Sequence, residues 1–138
     1  MSGKASRDKG KAGELEVAKV LQAHGLDVRR TPNSGGLAWR GDLQGLEGYL
    51  LEVKRCEALN VPAWLRQAHA DARGGEVPVV FFRRSAKSPS DPVGRWHAIE
   101  PLDTWARRVA LEQATFGLDP RAHDFLMEIM RGRIPGGC

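Results

Sequence analysis

Residues 41–55, GDLQGLEGYLLEVKR, decide the reading of this chain. The stretch has the form of a hairpin. Asp42 stands at its head, Gly45-Leu46-Glu47-Gly48 makes the turn, and Tyr49-Leu50-Leu51 begins an apolar strand. That strand reads as the centre of a sheet, yet it runs on into Glu52-Val53-Lys54. Side chains alternate along a strand, so Glu52 and Lys54 share one face while Leu51 and Val53 share the other. Folding about the glycine turn sets Asp42 opposite Glu52, within one residue of register. Directly opposed side chains have Cβ atoms roughly 4.5–5.5 Å apart, and like charges at that range repel. A divalent cation between the two acids resolves the conflict. Two carboxylates, a backbone carbonyl (assigned to Val53) and waters form the oxygen-rich set that Mg²⁺ prefers, and Mn²⁺ suits the same donors. Such an ion polarises a phosphoryl oxygen and acidifies a bound water. Lys54, one position along the same face, would orient or deprotonate that water, or balance charge on the phosphate. The bland alternative is a solvated Glu-x-Lys pair, or charges that discourage edge-to-edge pairing.

The rest of the chain frames this hairpin. GKAGELEVAKVLQAH, residues 10–24, has helical spacing at Leu15, Ala18 and Leu21, with Val17 and Val20 widening the stripe and Gly25 as its stop. On that helix Glu14 lies above Val17, Ala18 and Leu21 and faces the core, whereas Glu16 points to the flank with Lys19 and reads as solvated. LDVRR is a short strand, and TPNSGGLAWRG a glycine-rich loop beside whatever the protein binds. Pro62 opens a helix that runs to about Arg73 and stops at Gly74-Gly75. VPVVFFRR is a buried strand and VGRWHAIE one more. PLDTWARRVALEQA and DPRAHDFLMEIMRG read as two closing helices. The second bears Phe125, Leu126, Ile129 and Met130 along one side, for packing or for a dimer contact. This order predicts an α/β fold with a mixed central sheet flanked by helices, plus extra C-terminal helices. A single domain is expected over residues 1–138, its core about 7–100 and its helical extension about 101–132.

With 138 residues, 41% hydrophobic and 28% charged, the chain is that of a soluble globular domain. No apolar run suggests a membrane span, and the polar, basic N-terminus does not read as a secretory signal. Cys56 and Cys138 make no disulfide framework, which fits a reducing cytoplasm. The formal net charge is +4 and the pI about 9.4, which favours an anionic partner. Lys4, Arg7, Lys9 and Lys11 are expected ahead of the first helix, Arg29, Arg30 and Arg40 beside the glycine-rich loop, and Arg83, Arg84 and Lys87 after a strand. Basic groups so placed around one hairpin favour phosphate binding. Trp39, beside Arg40, is a candidate stacking contact, whereas Trp64, Trp96 and Trp105 read as core or edge anchors. The four histidines lack zinc-ligand spacing, and Ser34-Gly35-Gly36 is not followed by a nucleotide-binding GKS or GKT.

KGKAGELEVAKVL, then NSGG and GD, then LLEVK, then WLRQAHADA and VPVVFFRR together resemble the PD-(D/E)XK nuclease superfamily, and within it the archaeal and phage-type Holliday junction resolvases. The resemblance spans about Arg7 to Arg84. It implies a restriction-endonuclease-like fold and a metal-dependent, structure-selective DNA endonuclease. By position, the family's acids and lysine become Glu14, Asp42, Glu52 and Lys54, with Glu14 a further metal ligand or outer-shell acid. Lys9 and Gly10 match the basic-glycine pair before the helix Glu, Ser34 a loop position near the active site, and Gln67 a supporting Gln. Gly41 stands where the motif name has Pro. The resemblance further implies a homodimer acting on four-way junctions. Nucleases of flaps, nicks or duplex DNA share the same residues, and a non-catalytic basic DNA-binding module is the alternative of another class.

Overall fold

The protein is described here by a computed structural model, which covers residues 2–32, 40–85, 90–117, 121, 124, 125, 127 and 128. It divides into two compact units, residues 1–101 and 102–138. The first holds a five-stranded sheet in the order β1-β2-β3-β4-β5: Arg29–Arg30, Leu43–Gln44, Tyr49–Cys56, Val77–Arg84 and His97–Ile99. β1 and β2 pair antiparallel, as do β2 and β3, and β4 and β5; β3 and β4 are parallel. The fold is the predicted mixed α/β sheet of restriction-endonuclease-like type, and the strand bearing Glu52 and Lys54 is its middle one.

Helices cover both faces, and strand alternation assigns the residues to each. On one face Leu43, Leu51 and Val79 pack against Val17 and Ala18 of α1 (Ser2–Ala23). On the other, Leu50 and Val80 pack against Trp64 and Ala68 of α2 (Val61–Asp71). α2 is the crossover that a parallel β3–β4 pair requires. Asn60 caps its start by accepting from Ala63 N, and Pro62 sits in its first turn.

α1 begins eight residues earlier than the expected start at Gly10. Lys4, Arg7, Lys9 and Lys11 therefore stand on the helix, not ahead of it. Lys, Ala and Arg are good helix formers and no proline interrupts them. The helix ends in a Schellman motif: Leu26 N donates to Leu21 O, Gly25 N to Gln22 O, and Gly25 has φ +81°. Its buried stripe is Gly13, Val17 and Ala18, while Leu15 and Val20, expected inside, are 51% and 46% exposed. Residues two apart on a helix stand about 200° apart, so burying Val17 and Ala18 turns Leu15 and Val20 outward. At Gly13 the helix closes on β3: a Cβ there would lie 3.2 Å from Arg55 Cβ and 3.4 Å from the Trp96 ring.

Glu16 is not a free solvated acid but a half-buried, paired one, and Arg83 is not a surface cation. Strand alternation puts Arg55 and Arg83 on the α1 face, beneath the helix. Arg83 is 1% exposed. Its Nε and Nη2 donate to the two Glu16 oxygens at 3.0 and 3.1 Å, and its Nη1 to the carbonyls of Arg84 and Ser85. Trp96 Nε1 donates to Glu16 at 3.0 Å, Arg55 Nη1 adds a contact at 3.4 Å, and the Arg83 guanidinium lies 5.4 Å from the Trp96 ring centroid. One carboxylate thus gathers β3, β4 and the segment before β5 onto α1.

The last strand of this unit is shorter than expected. Asp91 caps a 3₁₀ turn over Pro92–Gly94 by accepting from Val93 N, which confines β5 to His97–Ile99. In the second unit α3 runs from Leu102 to Phe116 with Asp103 in its first turn, where an acid suits the helix dipole. Of the apolar side expected on a further helix, Phe125 is exposed; Leu126, Ile129 and Met130 lie outside the described residues. No described helix is long and apolar enough to cross a membrane.

Glu16→Ala strands the buried Arg83 cation, so it should cost about 3–5 kcal/mol in urea unfolding. Glu16→Ala combined with Arg83→Met, which removes the stranded charge, should recover most of that loss.

Candidate active site

The site is built where β2 meets β3. Leu43 lies opposite Leu51, the register that sets Asp42 beside Glu52 as the turn predicts. Gly41, at φ +73°, makes the entry possible: a Cβ there would fall 2.9 Å from Leu51 O. Asp42 N donates to that same Leu51 O at 2.8 Å, and Thr31 N of the neighbouring segment donates to Asp42 O at 2.9 Å. The Asp42 side chain then extends the ladder: its Oδ2 accepts from Val53 N at 2.8 Å. Backbone and carboxylate are both held, so the acid has a fixed direction.

Glu52 is 4% exposed, on the α2 face beyond Leu50. Burial, the Asp42 charge and a hydrogen bond with Asp42 push its carboxyl up to about 8. Lys54 Nζ, 3.8 Å from Glu52 Oε2, pulls against that shift. Lys54 Nζ also donates to Gln67 Oε1 of α2 at 2.9 Å, which brings the predicted Gln67 beside the lysine. Glu14 projects from α1 and pairs with Arg30 Nε of β1. Burial raises its carboxyl above the usual range against the Arg30 hydrogen bond, and the Asp42 charge adds to the rise. Glu14, Asp42, Glu52, Lys54 and Gln67 are therefore linked by contact or field, and Val53 enters through its N–H.

The donor set suits a hard cation. A buried Glu52 carboxyl beside the half-buried Asp42 carboxylate is stabilised by a proton or by a positive ion. Among the described residues no three His, Cys, Asp or Glu side chains cluster closely enough to encage an ion. Carboxylates completed by waters and substrate oxygens are how Mg²⁺ is usually held, in contrast to an all-protein cage.

The expected phosphate contacts divide. Lys11 is exposed, and Arg29 keeps 72% of its side chain exposed beside Asp27. Arg84 is 43% exposed with a bond to Asp91, and Lys9 reaches Glu57 at 3.5 Å. Arg30 serves Glu14. Arg83 is buried in the Glu16 network and cannot meet a phosphate there. Arg40 is likewise committed, to Glu76 and to the Asp71 carbonyl. Ser34, Trp39 and Lys87 lie outside the described residues. The sequence reading missed Glu76 and Asp71 around Arg40, because their separations of 36 and 31 residues leave no local pattern. It also missed Arg30 as the partner of Glu14; neighbouring Arg29 and Arg30 looked alike, and only strand alternation separates them.

A sequence model of the family described as "Phage putative PDDEXK endonuclease" matches residues 5–90, more than half of the chain. The match contains Glu14, Asp42, Glu52, Lys54 and Gln67. No curated protein and no solved structure matches the chain.

The Glu52 proton has a thermodynamic signature. Its folded value of about 8 lies above the ordinary 4.5, so the stability it lends is complete below about pH 4.5 and is lost as pH rises through about 8. With divalent ions chelated, unfolding free energy should fall over that window by up to about 1.4 kcal/mol per pH unit. Glu52→Gln should flatten the profile, as followed by urea titration at each pH.

Proposed function

Since the chain belongs to the phage PDDEXK endonuclease family, we propose that it is a divalent-metal-dependent DNA endonuclease whose preferred substrate is a four-way junction. The observation that carries the nuclease reading is the Asp42–Glu52 pair with Lys54 3.8 Å from Glu52 on one strand face.

Asp42 and Glu52 would hold Mg²⁺ or Mn²⁺, with Glu14 and the Val53 carbonyl as further oxygen donors. The bound ion would supply Lewis-acid polarisation of the phosphate and a more acidic water. The protein's own part is positional and electrostatic. The Val53 N–H fixes one Asp42 oxygen and so the direction of the carboxylate. Glu52 must give up its proton before it can serve as an anionic ligand, which ties its readiness to pH. Lys54 has three hydrogens to donate. Gln67 takes one, and the others are available to a water or a phosphate oxygen. Exposed Lys11 and Arg29, with the half-buried Lys9 and Arg84, would contact backbone phosphates, which position DNA without reading its sequence. A homodimer would match the two related cuts of a junction by symmetry. A nuclease of flaps, nicks or duplex ends shares every one of these residues, and a non-catalytic DNA-binding module shares the basic ones.

Asp42→Asn and Glu52→Gln should each abolish Mg²⁺-dependent cleavage, and Lys54→Ala should slow it about 10²–10⁴-fold while DNA binding persists. The assay compares a mobile-core junction with a flap and a linear duplex. Equal cutting of all three would sink junction preference and leave a general nuclease. Wild-type protein that binds DNA but never cuts it would sink the enzyme.

A further inference from the structure

We propose that Arg40 and Glu76 form a clamp that positions Asp42, so that Arg40 acts on cleavage through that acid and not by touching DNA. The inference rests on the nuclease reading of the site.

Arg40, half-buried, spends its guanidinium fork on partners within the protein. Its Nη1 donates to Glu76 Oε2 at 2.6 Å and to Asp71 O at 2.7 Å, and its Nη2 donates to Glu76 Oε1 at 2.9 Å. A bidentate arginine–carboxylate pair fixes orientation as well as distance. Its acceptor is itself held, since Glu76 Oε2 takes a bond from Arg73 N at 2.9 Å and Glu76 N donates to Arg73 O at 2.9 Å. Glu76 is thus locked into the turn that leaves α2. The next residue begins β4, where Val77 N donates to Gly48 O. A DNA phosphate approaching Arg40 would have to displace a carboxylate from both arms of the fork.

Only Gly41 separates Arg40 from Asp42. A glycine permits more backbone conformations than any other residue, so its neighbours must be fixed from outside if Asp42 is to keep one direction. Asp42 is held by its own groups: its N–H donates to Leu51 O, its carbonyl accepts from Thr31 N and its Oδ2 accepts from Val53 N. Ahead of the glycine, the clamp holds Arg40 and so the direction in which the chain enters Gly41. The clamp also ties Asp42 to Lys54, because both are anchored on α2: Gln67 holds the lysine, and the Asp71 carbonyl, one helical turn later, holds Arg40. Four residues of α2, about 6 Å along its axis, separate the two anchors.

The test compares Arg40→Gln, Arg40→Lys and Glu76→Gln with wild type in the full chain. Three quantities are read on a synthetic four-way junction and on a duplex of equal length: Kd and its salt dependence in Ca²⁺, kcat and KM in Mg²⁺, and Tm. If the clamp positions Asp42, Arg40→Gln and Glu76→Gln lower kcat alike, by about 10–100-fold. Kd and its salt slope stay put, and Arg40→Lys recovers part of the rate. If Arg40 binds phosphate, Arg40→Gln weakens Kd and reduces the salt slope by about one, while Glu76→Gln tightens binding at unchanged kcat. That pattern overturns the clamp. A lower Tm with unchanged kcat well below it overturns the clamp too, in favour of a merely structural pair. Should Arg40→Gln fail to fold, the near-isosteric Glu76→Gln decides between these outcomes. Wild-type protein that does not cut either DNA removes the nuclease reading and the clamp together; a cutting wild type with the other patterns removes the clamp alone.

Discussion

Two carboxyl groups, the half-buried Asp42 and the buried Glu52, meet beside the middle strand of the sheet, and the first unit is arranged around that constraint. Water reaches Glu52 poorly, because it lies under the α2 side of the sheet at 4% exposure. They cannot move apart, because Asp42 is bonded on its backbone and on its carboxylate. Their register is equally fixed. Slipping β2 by one residue along β3 would turn Leu43 out of the core and bring Gln44 in. Hydrophobic burial at Leu43 and Leu51, 3% and 2% exposed, thus compels two like charges to meet. The penalty is offset by whatever positive charge comes between them, whether a shared proton or an ion.

The two faces of the sheet divide the polar work. On the α1 side, Glu16 is surrounded by donors from Arg83, Arg55 and Trp96, and the group is satisfied within the protein. On the α2 side, Glu52 and Lys54 are only partly satisfied by each other, by Asp42 and by Gln67. The several bonds that converge on the Glu16 carboxylate mark the first as architecture. On the second, an acid pair with one raised carboxyl is left open to a further partner.

Much of this was legible in the sequence because it is local. The alternation in YLLEVK fixed which residues share a face, and the glycines of GLEG fixed where the chain turns, so the pairing of Asp42 with Glu52 needed no long-range information. Gln67 was found through resemblance to a nuclease superfamily, and its contact with Lys54 follows from where α2 lies. What escaped was set by tertiary packing. Arg83 follows two phenylalanines and looks like the exposed end of a strand, yet its partner Glu16 lies 67 residues away. Leu15 and Val20 looked like part of the buried stripe, and only the angle at which α1 meets Arg55 and Trp96 decides that Gly13 takes their place. Arg40 beside a glycine-rich loop read as a phosphate ligand for the same reason: a cation's partner across the fold leaves no mark on its neighbours in the chain.

The β2–β3 hairpin has a consequence for the order in which the molecule assembles. Asp42 and Glu52 are joined by a short glycine turn, whereas β3 reaches β4 only through a crossover that includes α2. Local pairing carries the smaller loop-closure cost and tends to form first. The two acids would therefore meet while still hydrated, when their repulsion is slight, and become a problem only when α2 docks and expels the water. The electrostatic toll of building this centre falls late in folding, on the closing of a helix that supplies Gln67 and the Asp71 carbonyl, so that the step creating the conflict also delivers groups that brace the site against it.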